Sequence, residues 1–483
     1  MDKVRRFANS PAVQNLQALQ QQLPHILKSR AYVRYLLVVL FAVSLTAIVV
    51  ANDPKKKLRA YHQGLYDGPS ACKNSVSYRC DECITCAIKG SKPAPNPESE
   101  AWSWDWKKDA VNFGLNNAQC DVAFTGLFHA IDDSVAAAST TRNTTADMES
   151  DMKMPGSIRA VVQDGQLYIH SVTPHKKDKN AFRARTIALL SSLHRALSAS
   201  PTPHLIPNIE FTMTVQNSAF NAYRERPNRP IWAFARRQED DKVWLMPDFG
   251  SWSADELHIS SYTESRLRIE DVEGQYKNHW KQKFQNLFWR GEVYEAEKLR
   301  GDLMRATDRK EWSDVQALDS HAGAHNSDHA IEDYCRHMFL AVAEGQSYSG
   351  RIRYLQNCRS VIIAHKAQWI TPLTHLMVAQ GAQQNFVQVE RDWSDLSVQM
   401  VKLRTNLDMA EKIADRSREV FGERYNTPAA EACYWRRLVD GWAKVTEPYE
   451  IYEEDMRRRW RGIPFETWLI IGFGSKEWWR TQY

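Results

Sequence analysis

The sequence carries little net charge for its length, and its basic residues form no stripe. Its 483 residues include 63 Lys and Arg against 58 Asp and Glu, a formal net charge of only +5. Nucleic-acid-binding surfaces need clustered positive charge, often interleaved with aromatic side chains. No nucleic-acid partner is therefore expected. At this length two or three domains are expected, and a 43% hydrophobic fraction with 17 tryptophans is ample for their cores.

Long apolar runs are also scarce. The clearest one covers residues 35–51, YLLVVLFAVSLTAIVVA, and contains no charged residue. Seventeen residues are near the lower length limit for a membrane-spanning helix. The side chain of Arg34 can extend its charged end to the membrane surface, so residues 31–33 can be counted with the span. The run lies too far from Met1, and lacks the small-residue cleavage site, for a removable signal peptide. It predicts a single transmembrane signal anchor that follows a cytosolic tail at 1–34.

Cysteines number only eight, and half of them lie in residues 52–101, which have the composition of a stem. These are Cys72, Cys80, Cys83 and Cys86. They could bind zinc, although a structural zinc site usually joins two pairs across a longer loop. In an extracytoplasmic protein they would form disulfides instead, which is the favoured interpretation.

A sequon at Asn143 predicts a glycan there if this part of the chain is lumenal.

A polar turn with adjacent arginines occurs within residues 333–363. The apolar positions from Tyr334 to Val342 predict a helix, which is followed by the turn QSYSG at 346–350 and by Arg351 and Arg353. Arginines are unfavourable at a helix N-terminus, which already carries partial positive charge, unless an anion binds there. The segment therefore either binds an anion such as phosphate or is a solvated turn whose arginines pair with surface acids.

A second possible ligand cluster consists of His321, His325 and His329, spaced four residues apart. Imidazoles at this spacing could bind a metal ion. Gly323 and the short polar residues around it favour a flexible loop instead, so no metal is expected there.

The rest of the sequence contains further strand and helix patterns. A hairpin is predicted at 158–170, with its turn at Asp164-Gly165. Other strands are predicted at 209–215, 360–363 and 387–389, and the segment 243–252 is predicted to be a strand that ends in a Gly-containing loop. Helices are predicted at 181–198, 295–307 and 408–421.

Five motifs resemble the signature segments of glycosyltransferase family 90, which contains protein O-glucosyltransferases and fungal capsule-associated proteins. They follow the family's order: PNIEF at 207–211, MPDFGSW at 246–252, FWRG at 288–291, the 344–363 region and VERDWSDL at 389–396. The resemblance implies a GT-B architecture, an α/β fold of two Rossmann-like domains that face a cleft. We expect these domains at 102–280 (acceptor side) and 281–445 (nucleotide-sugar side), followed by an extension at 446–483.

The resemblance also implies inverting transfer of a sugar, of the glucose or xylose class, from a UDP-sugar to a protein or glycan hydroxyl. The residues that match the family's donor-binding segments are Ser347, Ser349, Arg351, Arg290 and Gly291. Lys298 lies near the position of a family arginine, and Ser251 lies in a segment where the family builds another wall of the donor pocket. Cys335 and Cys358 match family cysteines on either side of the turn, which implies a disulfide.

No Asp-x-Asp motif occurs in the chain. A diphosphate clamped by a metal ion is therefore not supported, and no cofactor is expected. Helix N–H groups and arginines would neutralise the diphosphate instead.

The chain departs from the family at the catalytic base. Protein O-glucosyltransferases have an aspartate at the position that matches Asn217, and an amide cannot take the acceptor's proton. Either the chain is inactive, or the acceptor is acidic enough to need no base, or another carboxylate serves. We expect Asp248 to serve, since it follows a strand in a Gly-containing loop. Glu210 and Glu225 are weaker candidates for the base. Side chains alternate between the two faces of a strand, so Glu210 is expected on the opposite face from Asn217. Glu225 lies in an arginine-rich loop.

These patterns together predict a single-pass type II membrane glycosyltransferase of the Golgi or endoplasmic reticulum, with its catalytic part in the lumen. The alternative is a catalytically inactive, membrane-anchored module of the same fold that binds a sugar or a protein.

Overall fold

A computed structural model describes residues 102–138, 148–149, 151–173, 179–217, 230–254, 259, 261–318, 329–447, 449 and 461–471. The predicted tail, signal anchor and stem lie outside these residues, as do Asn143, Glu225, His321 and His325. In the described part of the chain, no helix is both long enough and apolar enough to cross a membrane.

The described strands belong to three sheets. In chain order they are Ser157–Gln163 (β1), Gln166–Val172 (β2), Ile209–Thr214 (β3), Ile231–Ala233 (β4), Arg236–Arg237 (β5), Val243–Leu245 (β6), Phe284–Gly291 (β7), Ser313–Ala317 (β8), His337–Val342 (β9), Val361–His365 (β10), Trp369–Ile370 (β11), Val387–Val389 (β12) and Ile463–Pro464 (β13). The strand orders are β13-β2-β1-β3-β4-β6, β12-β10-β9-β7-β8 and β11-β5.

The described α-helices lie between and after these strands. They are Trp106–Asp109 (α1), Asn117–Ala123 (α2), His129–Ala138 (α3), Lys179–Ser198 (α4), Tyr262–Gln275 (α5), Glu297–Thr307 (α6), Ile352–Leu355 (α7), Leu396–Thr405 (α8), Leu407–Ser417 (α9), Pro428–Ala443 (α10) and Phe465–Ile471 (α11). The helix predicted at 408–421 corresponds to α9, which continues as a π-helix over Arg418–Tyr425.

The first sheet, of six strands, is mixed. β1 pairs antiparallel with β2 and β3, whereas β3, β4 and β6 pair in parallel. The predicted hairpin is confirmed, and both of its turn residues have positive φ, 53° at Asp164 and 73° at Gly165. Two-residue hairpin turns need this left-handed backbone because it matches the twist of the flanking strands.

The second sheet, of five strands, is parallel throughout. All six residues of β9 are buried. The prediction of a helix from Tyr334 to Val342 is wrong: a 3-10 helix over Ile331–Arg336 leads into β9. Strands of a parallel sheet are buried on both faces and are apolar at nearly every position, so a helical spacing can be found in them by chance.

The last long helix, α10, returns to the first sheet after the chain has built the second. Trp435 and Trp442 of α10 are fully buried in the core of the first sheet, and the Trp442 indole N–H donates to the carbonyl of Glu210 (2.9 Å). A disulfide between Cys120 and Cys433 joins α10 to α2 across 313 residues. The core of the first sheet is thus built from both ends of the described chain.

A second disulfide joins Cys335 to Cys358, as the resemblance implies, with 4.9 Å between their Cα atoms. It ties the 3-10 helix before β9 to the segment just after α7. The turn at 346–350 lies between its two cysteines, so the position of this turn is fixed on both sides.

Candidate active site

A cavity of about 280 Å³ lies at the carboxyl ends of β9, β10 and β12. This edge of a parallel sheet is where α/β proteins commonly bind their ligands. Part of the lining is polar, contributed by Glu344, Ser349, Arg353 and His365. The first sheet supplies the opposite wall, which is formed by Phe234, Pro247 and Asp248.

Asp248 and Arg353 form an ion pair across this cavity. The Arg353 Nε atom lies 3.5 Å from Asp248 Oδ1, and each side chain is only 12% exposed. Arg353 also pairs with the buried carboxylate of Glu431 on α10 (3.4 Å). Burial by itself lowers the pKa of the Arg353 guanidinium, but the two carboxylates outweigh it and raise this pKa above its ordinary value. Arg353 is therefore charged and shared between two acids from different elements.

The Asp248 carboxylate contacts Tyr348 as well as Arg353. The Tyr348 side chain is hydrogen-bonded to Asp248, and burial, together with this carboxylate, raises the pKa of Tyr348 well above its ordinary value. Oδ1 of Asp248, the oxygen that faces Arg353 at 3.5 Å, is buried and makes no hydrogen bond among the described residues. Such an atom can accept a proton from a hydroxyl group that enters the cavity.

The turn at 346–350 contacts the end of β3 in the first sheet. The Ser347 hydroxyl donates to the carbonyl of Asn217 (2.7 Å), and the Asn217 side-chain amide donates to Gln346 (3.2 Å). The other end of that amide, Oδ1, accepts from Arg185 (3.0 Å). Asn217 thus joins the two sheets, with both ends of its side chain occupied.

Two arginines near the turn have carbonyl groups as partners. Arg300 donates to the carbonyls of Glu344 (3.0 Å) and Glu292 (2.6 Å), and Arg351 donates to the carbonyl of Arg290. Burial, and then the nearby charge of Arg351, lower the pKa of Arg300. Within the described ranges, neither guanidinium has a carboxylate at ion-pair distance. Two adjacent positive charges without an acid can bind an anion.

Buried polar groups fix the backbone around the cavity. The Glu344 carboxylate accepts from the backbone N–H groups of Gln368 and Trp369 (2.8 and 2.9 Å) and from Arg391 (2.8 Å). The Glu344 N–H donates to Nε2 of His365 (3.0 Å). Burial lowers the pKa of His365, which favours the neutral ring that this contact requires. Each of these two side chains holds a strand end in place.

The structure brings only some of the predicted donor-binding residues to the cavity. Ser349 lines it, and Ser347 lies at the contact with Asn217. Ser251 lines a second cavity, and its hydroxyl donates to the carbonyl of Asp248 (2.7 Å). Lys298 points to solvent and pairs with Asp302 (3.1 Å).

The two predicted residues at the end of β7 are buried in the protein. The Arg290 guanidinium bonds Asp314 (2.7 Å) and lies over the ring of Phe288. A Cβ atom at Gly291 would lie 2.5 Å from the Trp289 ring, so glycine is required there by packing. Arg290 and Asp248 do not pair with each other, because Arg290 pairs with Asp314 and Asp248 with Arg353.

Glu210, one of the weaker candidates for the base, forms a buried ion pair with Arg159 at 2.6 Å. It therefore faces away from the 280 Å³ cavity, which it does not line.

Sequence reasoning missed Arg300, Arg353 and Tyr348 as site residues. Arg353 and Tyr348 belong to the same motif as Ser349 and Arg351, and only their side-chain directions were unknown. Arg300 lies two residues after Lys298 on α6; its Nη2 atom is 2.9 Å from where a Cβ of Gly345 would be. Helix geometry could have identified Arg300, since residues two positions apart on a helix point to different sides, and Lys298 and Arg300 therefore cannot both face solvent in the same direction.

Potential metal ligands come together at one place in the described chain, namely Glu273, Cys335 and Cys358. The two sulfur atoms are bonded to each other as a disulfide, and a disulfide does not supply the thiolates that bind metal ions. This group therefore gives no argument for a metal centre.

Comparison with known proteins agrees with the motifs. The sequence profile of Glycosyl transferase family 90 matches residues 117–458. The O-glucosyltransferase rumi homolog of Aedes aegypti is 25% identical over 275 residues, which are 52% of this chain and 64% of that protein. The O-glucosyltransferase rumi of Drosophila melanogaster is 23% identical over 252 residues, 47% and 57% of the two chains.

The same protein of Drosophila pseudoobscura pseudoobscura is 23% identical over 248 residues, 47% of this chain and 57% of the relative. The chain thus spans about three fifths of the length of the curated relatives it matches. The family profile covers well over half of this chain, and it includes the 280 Å³ cavity and every described strand of the two large sheets except β13. The chain belongs to glycosyltransferase family 90.

Proposed function

We propose that this chain is an inverting glycosyltransferase that moves a glucose- or xylose-class sugar from a UDP-sugar to a protein or glycan hydroxyl. Family membership supports sugar transfer, and the relatives are named as O-glucosyltransferases. The observation that carries the proposal is the buried Asp248 carboxylate, which faces Ser349 and Arg353 across the 280 Å³ cavity.

The donor would occupy the cavity and the adjoining turn. Phe234, Trp369 and Phe386 give the cavity an apolar, aromatic part that suits a nucleoside. The diphosphate would extend past Ser349 to the guanidinium groups of Arg300 and Arg351, which lie beside the turn and outside the lining of the cavity. Arginine binds phosphate through charge-assisted, bidentate hydrogen bonds, so this arrangement needs no metal ion.

Asp248 would act as the general base. The acceptor hydroxyl loses its proton to Oδ1 of Asp248 while its oxygen forms a bond to the anomeric carbon of the donor. The bond between that carbon and the diphosphate breaks, and UDP leaves with the electron pair. Arg300 and Arg351 would stabilise the negative charge that develops on the leaving group. Attack opposite the leaving group inverts the anomeric centre.

Asn217 would serve as a contact between the sheets rather than as the base. Its amide oxygen accepts from Arg185, and its amide nitrogen donates to Gln346. The side chain therefore positions the turn that carries Ser347 and Ser349. This role is compatible with activity although the family's aspartate is missing.

We further propose the GT-B arrangement for this fold, with one Rossmann-like domain around each large sheet. In the same proposal the chain is a type II membrane protein of the Golgi or endoplasmic reticulum, anchored by residues 35–51. The apolar run and the sequon support this placement. Peptide-N-glycosidase treatment of the chain from secretory cells should increase its gel mobility, and Asn143→Gln should abolish the shift. An unglycosylated wild-type chain would contradict the lumenal orientation.

The central test is a donor-hydrolysis and transfer screen. UDP release from UDP-glucose and UDP-xylose is measured with the purified chain, with Asp248→Asn and with the exposed-site control Lys298→Ala. Turnover that persists in the control and is lost in Asp248→Asn is expected. UDP binding without turnover of any UDP-sugar would favour the inactive binding module instead.

A further inference from the structure

A second cavity, of about 200 Å³, lies beyond the turn that carries Asp248. It is bordered by α4, by the first turns of α5 and α10, and by Ser251 and Trp252. None of its lining residues also lines the 280 Å³ cavity. Drug-sized ligands usually occupy cavities of roughly 300–1,000 Å³, so this one suits a ligand of about a single ring.

Four hydroxyl groups line this second cavity, and those of Ser192 and Ser251 are buried. Ser192 donates to the buried carboxylate of Glu431, and Ser251 is hydrogen-bonded to the same group. Ser261 and Thr263, at the start of α5, contribute two more hydroxyls. A hydroxyl both donates and accepts, so this lining matches a ligand that carries several hydroxyl groups of its own.

Aromatic rings and one guanidinium form the outer part. The Arg195 guanidinium lies 4.0 Å from the Trp252 ring centre and 5.0 Å from that of Phe113. Among the residues that the structure describes, Arg195 has no carboxylate at ion-pair distance. Its N–H groups can therefore reach a ligand, and the two rings offer apolar surface beside them.

The charges of the lining decide which ligand class fits. One acid, Glu431, and one base, Arg195, line the cavity. A phosphate or carboxylate would meet the Glu431 carboxyl group, and an apolar ligand would make no hydrogen bond to the exposed Thr263 hydroxyl or to the Arg195 N–H groups. A neutral polyhydroxylated ring meets neither obstacle.

We propose that this second cavity binds one neutral carbohydrate ring. Trp252 and Phe113 contact the apolar C–H face of the ring, while Glu431, Ser251 and Thr263 hydrogen-bond its hydroxyls. The site is distinct from the donor cavity, and the proposal does not depend on Asp248 being a base.

Ligand-observed NMR and calorimetry with the purified chain test this site. The probes are methyl β-glucoside and methyl β-xyloside, with glucuronate and inorganic phosphate as charged comparisons. We expect a methyl glycoside to bind with a dissociation constant of ~1 mM or below, and saturating UDP should leave that binding unchanged. Glucuronate and phosphate should bind at least several-fold more weakly.

Two variants locate the ligand. Trp252→Ala should weaken glycoside binding about tenfold or more, and Thr263→Val should weaken it a few-fold while UDP affinity stays the same. Phe284→Ala, which removes an exposed aromatic ring elsewhere, is the matched control and should bind like wild type. The thermal midpoint of each variant shows that it is folded.

Three results would overturn the proposal: no glycoside binding to wild type, equal binding to folded Trp252→Ala, or displacement of the glycoside by UDP. Stronger binding of glucuronate or phosphate would assign the cavity to anions instead. UDP-sugar turnover is measured separately, so an inactive enzyme that still binds the glycoside would refute the proposed function and leave this site standing.

Discussion

β7 and β9 are neighbouring strands of the same parallel sheet, and each has an arginine at or after its carboxyl end, but the two arginines pair with aspartates in different parts of the molecule. Arg290, in β7, lies over Phe288 and bonds Asp314 within its own sheet. Arg353, after β9, reaches across the cavity to Asp248 of the first sheet. Both are buried arginines paired with an aspartate. Only the pair with Asp248 lines a cavity in which a reaction could occur.

The difference shows that a place at the carboxyl end of a strand does not make a residue part of the site. Successive side chains of a strand point to opposite faces. In β7 the alternation directs Arg290 to the face that carries Phe288. In the loop after β9 the short helix α7 places Arg351 and Arg353 two positions apart on different sides, so that Arg353 faces Asp248 and Arg351 faces β7.

The strongest test of this comparison exchanges the acids of the two pairs for amides. Asp248→Asn should lower the rate of transfer by ~10²–10⁴, the usual loss when a general base is removed. Asp314→Asn, the matched change in the Arg290 pair, should leave transfer within a few-fold of wild type. Rates are measured with a confirmed donor at saturating concentration. Equal losses in both variants would mean that the two pairs do not differ in function.

The stability of the junction between β7 and β9 should depend on pH. Burial lowers the pKa of His337, the first residue of β9, from 6.5 to about 4, although the nearby Asp314 carboxylate opposes this shift. The unfolded chain therefore takes up this proton at a higher pH than the folded chain. The free energy of unfolding should fall as pH drops from 6.5 toward 4, by roughly 3 kcal/mol at most.

Urea unfolding at pH 7, 6, 5 and 4.5 measures this dependence. The comparison variant His337→Gln cannot take up the proton, so its unfolding free energy should vary less over the same range. A wild-type protein whose stability is no more pH-dependent than that of the variant would show that His337 is not the group responsible.

Loss of the Arg351 guanidinium should affect donor binding. Arg351→Ala is expected to weaken UDP affinity by about 10- to 150-fold, the range for a hydrogen bond to a charged group. Arg351→Lys should recover little of the lost UDP affinity, because the lysine ammonium group does not reproduce the planar guanidinium, which can donate two parallel hydrogen bonds to a phosphate. Arg290→Gln should reduce stability with less effect on UDP affinity. Calorimetric titration with UDP compares the three, and unchanged affinity in Arg351→Ala would contradict the donor site.

The smallest effect is expected at Asn217. Its Oδ1 atom already accepts from Arg185 at 3.0 Å, so the carboxylate in Asn217→Asp should pair with Arg185 instead of accepting the acceptor's proton. The transfer rate should stay within about threefold of wild type. If this variant gains more than tenfold while Asp248→Asn keeps the wild-type rate, the base is not Asp248.

Local patterns predicted much of this fold. The β1–β2 hairpin, β10, β12 and the helix at 295–307 were located to within a few residues, because turn glycines and short apolar runs specify them locally. The motif order identified the family and the turn that approaches Asn217. The Cys335–Cys358 disulfide could be inferred only because the family has cysteines at both places.

Features that depend on distant contacts were not predictable from the sequence. β9 was mistaken for a helix because burial on both faces hides the two-residue period. The direction of the Arg290 side chain depends on its partner Asp314, and that of Lys298 depends on the orientation of α6. Neither can be inferred from the motif in which the residue lies. Nothing in the sequence indicated that Cys120 pairs with Cys433, since four cysteines already permit three pairings.

The disulfide between Cys120 and Cys433 has a consequence for biosynthesis. At about 5–20 residues per second, the ribosome takes roughly 15–60 s to make the 313 residues between the two cysteines. Throughout that time Cys120 is a free thiol, and the first sheet lacks the helix that completes its core. Until residue 433 has been made, the apolar surface that α10 covers is exposed, as in other incomplete chains that are prone to aggregate, and the disulfide itself can form only under oxidising conditions.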